Sequence, residues 1–396
     1  MDAATDPAVH PERERRHEFL ARELAAYWPD ITWPDTPGVR MERATPGHAE
    51  LTNAAFNRVF GQERPVSHHR WKFWENPAGP SVGFLAFEES SGLLAACCIA
   101  ITKWARVDGR DQRILMYCET FSDPQRRMGG RAFRAVGRAP GMQAAREGTL
   151  IGYGSQSSDD AIKIGRRWFG YRVLMSLRTW EKRLSLRPAL RARFGRAGAA
   201  AAAVANAPLR RLRPRPASSL DMEPRARFGP EFDELWLDLR DQYRVLLRRD
   251  DAALTWRYVR CPVAGHHVLL ARRGPRPAGY LVWREWEREG VRLATVLDLF
   301  TPRDPEPARA LLAAAEREAD RRDCDFIQFA PWPRTPGFAA LKGLRGWRRS
   351  RREALDRVIS LPLPLPAPTL EQMEVQWAAI DARNWLFTQG DSDFYD

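Results

Sequence analysis

Two stretches of the chain hold residues whose types and spacing can do chemistry. In ILMYCETF a single carboxylate, Glu119, stands in an otherwise apolar strand. Burial disfavours the charged form, so its pKa is expected to rise toward neutrality, where it can take a proton from an ammonium group directly or through water. The competing reading is a carboxylate salt-bridged to one of the many arginines. A few residues on, SDPQRRMGGRAFRAV contains R-x-x-G-x-A, from Arg127 through Gly130 to Ala132, between the end of that strand and the start of a helix. Small residues let backbone amides approach a pyrophosphate, and a helix N-terminus adds unpaired N–H groups and a partial positive charge. The pattern reads as an anion cradle, although neither the P-loop pattern GxxxxGK[ST] nor the dinucleotide fingerprint GxGxxG is present.

Other reactive residue types are less well placed. Ser155 in YGSQS does not fit the G-x-S-x-G elbow of a hydrolase nucleophile. The pairs His68–His69 and His266–His267 carry no HExxH or HxH spacing, so no metal site is expected. Five cysteines without a CxxC, in apolar runs such as LLAACCIAI, read as reduced core thiols rather than a disulfide framework or a zinc knuckle.

The elements that position these groups come twice. HRWKFWENP (69–77) reappears as LTWRYVRCP (254–262), with Trp71 over Trp256 and Pro77 over Pro262. In each copy two apolar strands follow, then a longer strand (QRILMYCETFSDP against VRLATVLDLFTPRD), a helix-period stretch, a buried strand, a short helix and a last strand. A chain of 396 residues suits two such domains. The expected fold class is α/β (α+β), with two units that are each a twisted mixed sheet flanked by helices. The expected boundaries are an N-terminal helical extension over 1–38, a first unit over 39–188, an Ala/Arg/Pro-rich linker over 189–219, a second unit over 220–362 and a C-terminal helix with an acidic tail over 363–396. Phe19, Leu20, Leu24 and Trp28 fall near one face of an amphipathic N-terminal helix. The acidic tail, with Asp391, Asp393 and Asp396, is expected to fold back and pair with arginines, or to hold a cationic amine.

A formal net charge of +13 invites a nucleic-acid reading. Yet only five of the 63 basic residues are lysines, and arginines are strewn through both halves, so nucleic-acid binding is unlikely on this reading. The linker arginines read as a solvated spacer, with contact to an anionic surface as the alternative. No run of about 18 apolar residues occurs and the N-terminus is polar, which excludes a membrane span and predicts a soluble, cytoplasmic protein.

The segment from about 39 to 182 resembles the GCN5-related N-acetyltransferase family, on Glu119, Ser122 and Pro124 at the end of the motif strand, the loop Arg127–Ala132, and Gly170–Tyr171 in DDAIKIGRRWFGYRV. The resemblance implies that acetyl-CoA lies on this loop, with Thr120, Phe121, Ser122, Arg127, Met128, Gly129, Gly130, Arg131, Ala132 and Ser158 as its contacts and Glu119 as general base. It implies transfer of acetyl to a primary amine of a small molecule or amino sugar by direct attack, without a metal. Many members place a tyrosine as general acid where this chain has Arg166, or Gly165 with one inserted residue. The second copy has Glu306, Arg309 and Leu311 where the first has Arg127, Gly130 and Ala132, so it is expected to lack the cradle; Asp298 matches Glu119. Two alternatives accompany this reading, an aminoacyl-tRNA-dependent transferase of the related two-domain type and a non-catalytic CoA-binding or scaffold protein.

Overall fold

Strands of this chain that read as continuous apolar runs, such as Val82–Glu88 and Leu94–Val107, are covered on both faces and so need no polar alternation. The computed structural model describes residues 9–27, 36–126, 128–155, 158–211, 219–263, 265–350 and 356–393. In chain order its elements begin with α1 (Val9–Ala25), β1 (Val39–Arg43), α2 (Ala49–Phe60), α3 (Val66–Trp74), β2 (Val82–Glu88), β3 (Leu94–Val107) and β4 (Arg110–Ser122). There follow α4 (Arg131–Arg146), β5 (Ile151–Gly154), α5 (Asp159–Trp168), β6 (Arg172–Leu177) and β7 (Trp180–Arg183). After α6 (Arg187–Arg211) come β8 (Asp221–Arg225), α7 (Pro230–Leu239), β9 (Val245–Leu247) and α8 (Asp251–Leu254), which runs into a π turn, Thr255–Val259. Then β10 (His266–Arg273), β11 (Arg276–Arg288), β12 (Val291–Phe300), α9 (Pro305–Arg321), β13 (Phe326–Phe329) and α10 (Pro336–Lys342) are succeeded by β14 (Trp347–Arg349), β15 (Asp356–Pro362), α11 (Leu370–Ala379) and β16 (Trp385–Leu386).

These strands form two mixed sheets. The first runs β1-β2-β3-β4-β5-β15-β6, with β9 on β3 and β16 on β9; the second runs β14-β7-β13-β12-β11-β10-β8. β4 pairs with β5 in parallel in the first sheet, and β12 with β13 in the second. The chain resolves into two compact units, 1–175 with 243–248 and 357–385, and 176–242 with 249–356 and 386–396. Thus β7, which follows the first run of elements, pairs with β13 and β14 in the second sheet, while β15, which follows the second run, pairs with β5 in the first.

In the first unit α4 lays Ala132, Val136 and Ala139 on Phe84, Cys98 and Leu115 of the sheet, all buried. In the second α9 lays Ala308, Leu311 and Ala315 on Leu281, Trp283 and Val296. The N-terminal helix is present: Leu20 and Leu24 bury against Met373 of α11, and Phe19 meets Trp377 edge-on, while Trp28 lies outside the described residues. Trp71 and Trp256 are core residues, 1% and 5% exposed.

Candidate active site

The parallel pairing of β4 with β5 runs from Ile114 opposite Ile151 to Tyr117 opposite Gly154, where β5 ends, and β4 continues to Ser122. On the other edge β3 pairs Ile99 with Glu119 and Ala100 with Tyr117, so Cys118 is the extra residue of a β-bulge. Thr120 and Phe121 face opposite sides of the strand. The Thr120 hydroxyl lies 3.1 Å from Cys98 Sγ, whereas the Phe121 ring meets Phe56 and Phe60 of α2 edge-on.

Beyond β4, Met128–Gly130 form one 3-10 turn and α4 starts at Arg131. Gly130 is its N-cap in the left-handed region (φ 77), a conformation that suits glycine, and no side chain caps the helix. The first-turn N–H groups of Ala132 and Phe133 thus have no side-chain cap, and a helix start of this kind can take an external acceptor. Arg131 Nε donates to the Met128 carbonyl, and Ala132 is 1% exposed with its methyl in the core. Arg127, the first residue of the expected loop, lies outside the described residues. Ser158 is the N-cap of α5, its hydroxyl accepting from the Ala161 amide at 3.1 Å.

Glu119 departs from the expected chemistry. Its carboxylate is 4% exposed and held by both terminal nitrogens of Arg64, one at 3.1 Å, and by Lys72 Nζ at 3.0 Å. Burial alone would raise its pKa, but Lys72 and Arg64 together outweigh burial and hold it down to about 2. The rise toward neutrality is not found; the competing reading, a carboxylate salt-bridged to an arginine, is, with Lys72 as a second cation. Close by, His69 is fully buried, with Nε2 2.8 Å from the Thr52 hydroxyl. Burial lowers its pKa to about 4, so it is neutral at pH 7.

Neither a protein-family model nor a curated protein matches the sequence. Solved structures match in shape. A GCN5-related N-acetyltransferase from Anabaena variabilis aligns with a TM-score of 0.60 at 12% identity, covering 82% of this chain and 73% of that one. A probable N-acyltransferase from Enterococcus faecalis gives 0.57 at 10% identity over 86% of this chain and 74% of its own. The N-myristoyltransferase of Saccharomyces cerevisiae with bound myristoyl-CoA gives 0.54 at 8% over 84% and 85%. The chain has the GCN5-related N-acetyltransferase fold.

Within this N-acetyltransferase fold, the helix position expected to carry a general-acid tyrosine holds the exposed Arg166 and the buried Gly165. The Tyr171 ring fills the space beside Gly165, where a Cβ would come within 1.9 Å of it, and burial raises the Tyr171 pKa. Gly170 lies so close to the Tyr27 carbonyl that a Cβ would meet it at 2.0 Å, which accounts for the Gly-aromatic pair structurally.

The second unit repeats the frame with other chemistry. Its bulge is at Leu297, between Val296 and Asp298, one residue before the carboxylate as in the first unit. Asp298 accepts from Tyr280 at 2.8 Å, Thr388 at 3.0 Å and Arg249 at 3.4 Å, and the same Arg249 donates to Asp391 at 2.5 Å. The acidic tail thus folds back and pairs with an arginine through Asp391. The register that sets Trp71 over Trp256 also sets Arg64 over Arg249 and Lys72 over Arg257. Lys72 and Arg257 lie within the repeated segments, and extending the repeat a few residues upstream would have found Arg64 and Arg249. Among the described residues no cluster of His, Cys, Asp and Glu could hold a metal ion, and no helix is long and apolar enough to cross a membrane.

Proposed function

We propose that the chain is an acyl-CoA-dependent N-acyltransferase whose first unit binds acetyl-CoA and passes the acetyl group to a primary amine of a small molecule. The observation that carries this reading is the uncapped start of α4 at Gly130, directly after a strand that continues past its parallel neighbour. In this reading the amides from Met128 to Ala132 hold the pyrophosphate, with the positive end of the α4 dipole behind them. In the same reading Glu119–Ser122 lines up the thioester arm, and an amide of that segment polarises the carbonyl as the amine attacks.

Glu119 has a different part in this proposal from the one expected of it. A carboxylate with a pKa of about 2, bonded to two cations, is too weak a base to take a proton from an ammonium at neutral pH. It serves instead to tie Arg64 and Lys72 to β4. The amine then reacts in its neutral form, and kcat/KM should rise tenfold per pH unit up to the pKa of the amine itself. A screen of CoA release from acetyl-CoA against amino sugars, amino acids and polyamines tests the activity. Binding of acetyl-CoA without turnover on any of them would favour the non-catalytic CoA-binding reading, which the absence of a tyrosine at position 166 supports.

A further inference from the structure

The most one-sided charge in the molecule lies outside the site. Between Glu181 and Asp221 the chain carries ten basic residues and no acidic one, which leaves a net charge of only +3 for all the rest. This run includes α6, and α6 is not one straight helix. Gly195 leaves the helical region (φ 61, ψ −143), and the second half folds back on the first. Gly198 packs so tightly on the Leu190 carbonyl that a Cβ there would come within 2.1 Å. Asn206 closes the far end, accepting from the Leu186 amide at 3.0 Å and donating to the Ser185 hydroxyl at 2.8 Å. The base is anchored to the second unit through Arg187, whose guanidinium grips the fully buried Asp325 at 3.0 and 2.5 Å. The result is a rooted helical hairpin, with residues 191–197 all exposed at its tip.

The tip pairs cations with an apolar ring. Phe194 is 56% exposed and Arg193 lies 5.3 Å over its ring, with Arg196 exposed across the bend. Ala197, Ala200, Ala201 and Val204 continue along one helical face as exposed apolar residues, and Val204 is 78% exposed. Solvation explains the arginines but not the bare phenylalanine and valine. A nucleic acid would use the arginines and leave the apolar face wet. An anionic bilayer uses both, since headgroups attract the cations while the ring and the small apolar face sink into the interface.

We propose that the α6 hairpin is a peripheral docking element for anionic lipid bilayers. The test is co-sedimentation of the full-length protein with vesicles of phosphatidylcholine alone and of phosphatidylcholine mixed with phosphatidylglycerol, at low and high salt. Binding is expected only to the anionic vesicles and should fall with salt. The double variant Arg193→Glu/Arg196→Glu should lower the partition coefficient by about tenfold or more, and Phe194→Ser by about fivefold, with unchanged thermal unfolding. No binding to anionic vesicles would overturn the proposal. So would equal binding by Phe194→Ser together with tight, salt-sensitive binding of double-stranded RNA, which would mark the arginines as a polyanion site. The outcome is independent of acyl transfer, so its failure leaves the proposed activity standing.

Discussion

The helices that follow β4 and β12 begin at the same point of the same frame and are opposite in chemistry. Before α4 stands a left-handed glycine without a capping side chain, and all of its first-turn N–H groups are present. Before α9 stands Asp304, whose carboxylate accepts from the Glu306 amide at 3.0 Å, while prolines at 305 and 307 remove two further donors. Glu306 then adds a negative charge at the helix end where an anion would have to sit. On the proposed reading, what separates the two helix starts as anion sites is not the fold but about four residues. The carboxylates after the two bulges differ in the same spirit. Glu119 reaches its arginine with both oxygens, whereas the shorter Asp298 shares Arg249 with Asp391 of the tail, so in the second unit the chain itself supplies the second carboxylate.

The largest effect expected from this comparison is on CoA binding. Gly130→Glu puts a side chain at φ 77 and a negative charge into the cradle, and should weaken acetyl-CoA binding by at least about 10³-fold, or about 4 kcal/mol. Titration calorimetry on the wild type should show one site per chain. Two sites, or an unaltered affinity in the variant, would break the contrast between the two helix starts.

Next in size is Glu119→Gln. Neutralising the buried carboxylate leaves Arg64 and Lys72 without their counter-charge and should cost about 3 to 4 kcal/mol of stability, read by denaturant unfolding. Turnover per folded molecule, and the slope of kcat/KM with pH, should stay as in the wild type. A loss of about 10²-fold that shrinks at high pH would instead restore Glu119 as the base.

A third effect follows from His69, aligned with Leu254 in the second unit. Its pKa of about 4 lies below its ordinary 6.5 because burial disfavours the cation, so the unfolded chain binds more protons between those values. Stability attributable to this group is thus complete above about pH 6.5 and falls as pH drops toward 4, by about 3 kcal/mol at most. His266 is lowered to about 4 as well and adds a loss of the same sign in the same window. His69→Leu should remove the first share and leave the second, so melting curves of the variant between pH 7 and 4 should fall less steeply. An identical pH dependence would mean that His69 is not held neutral.

Much of this was legible in the chain. The expected cradle rests on a local signal, a strand end, small residues and a helix start in succession, and the structure has those elements in that order. The expectation that the second copy lacks the cradle rests on equally local residues, Glu306, Arg309 and Leu311. For Glu119 the sequence left two readings open, a raised pKa and a salt bridge to an arginine, and the choice between them depends on Arg64, which lies in a loop 55 positions earlier. Strand partners were hidden likewise. The residues of β7 and β15 fit a last strand in either sheet, and only long-range pairing assigns β7 to the second and β15 to the first. Ser158 shows the converse, a polar residue before a helix that serves the helix as its cap.

The smallest expected effect sharpens the comparison most. Asp304→Ala removes the cap of α9 and should cost about 1 kcal/mol, the usual loss for an N-cap aspartate. It also frees the Glu306 amide and takes away one negative charge, moving α9 a step toward the state of α4. If charge and capping alone separated the two helix starts, the double variant Asp304→Ala/Glu306→Gln would gain measurable affinity for acetyl-CoA at a second site. No gain is expected, because Pro305 and Pro307 still lack the N–H groups that a pyrophosphate must find. Calorimetric titration of that double variant in the Gly130→Glu background isolates the second unit. Heat from a new site there would show that the missing amides are dispensable and that charge is the whole difference.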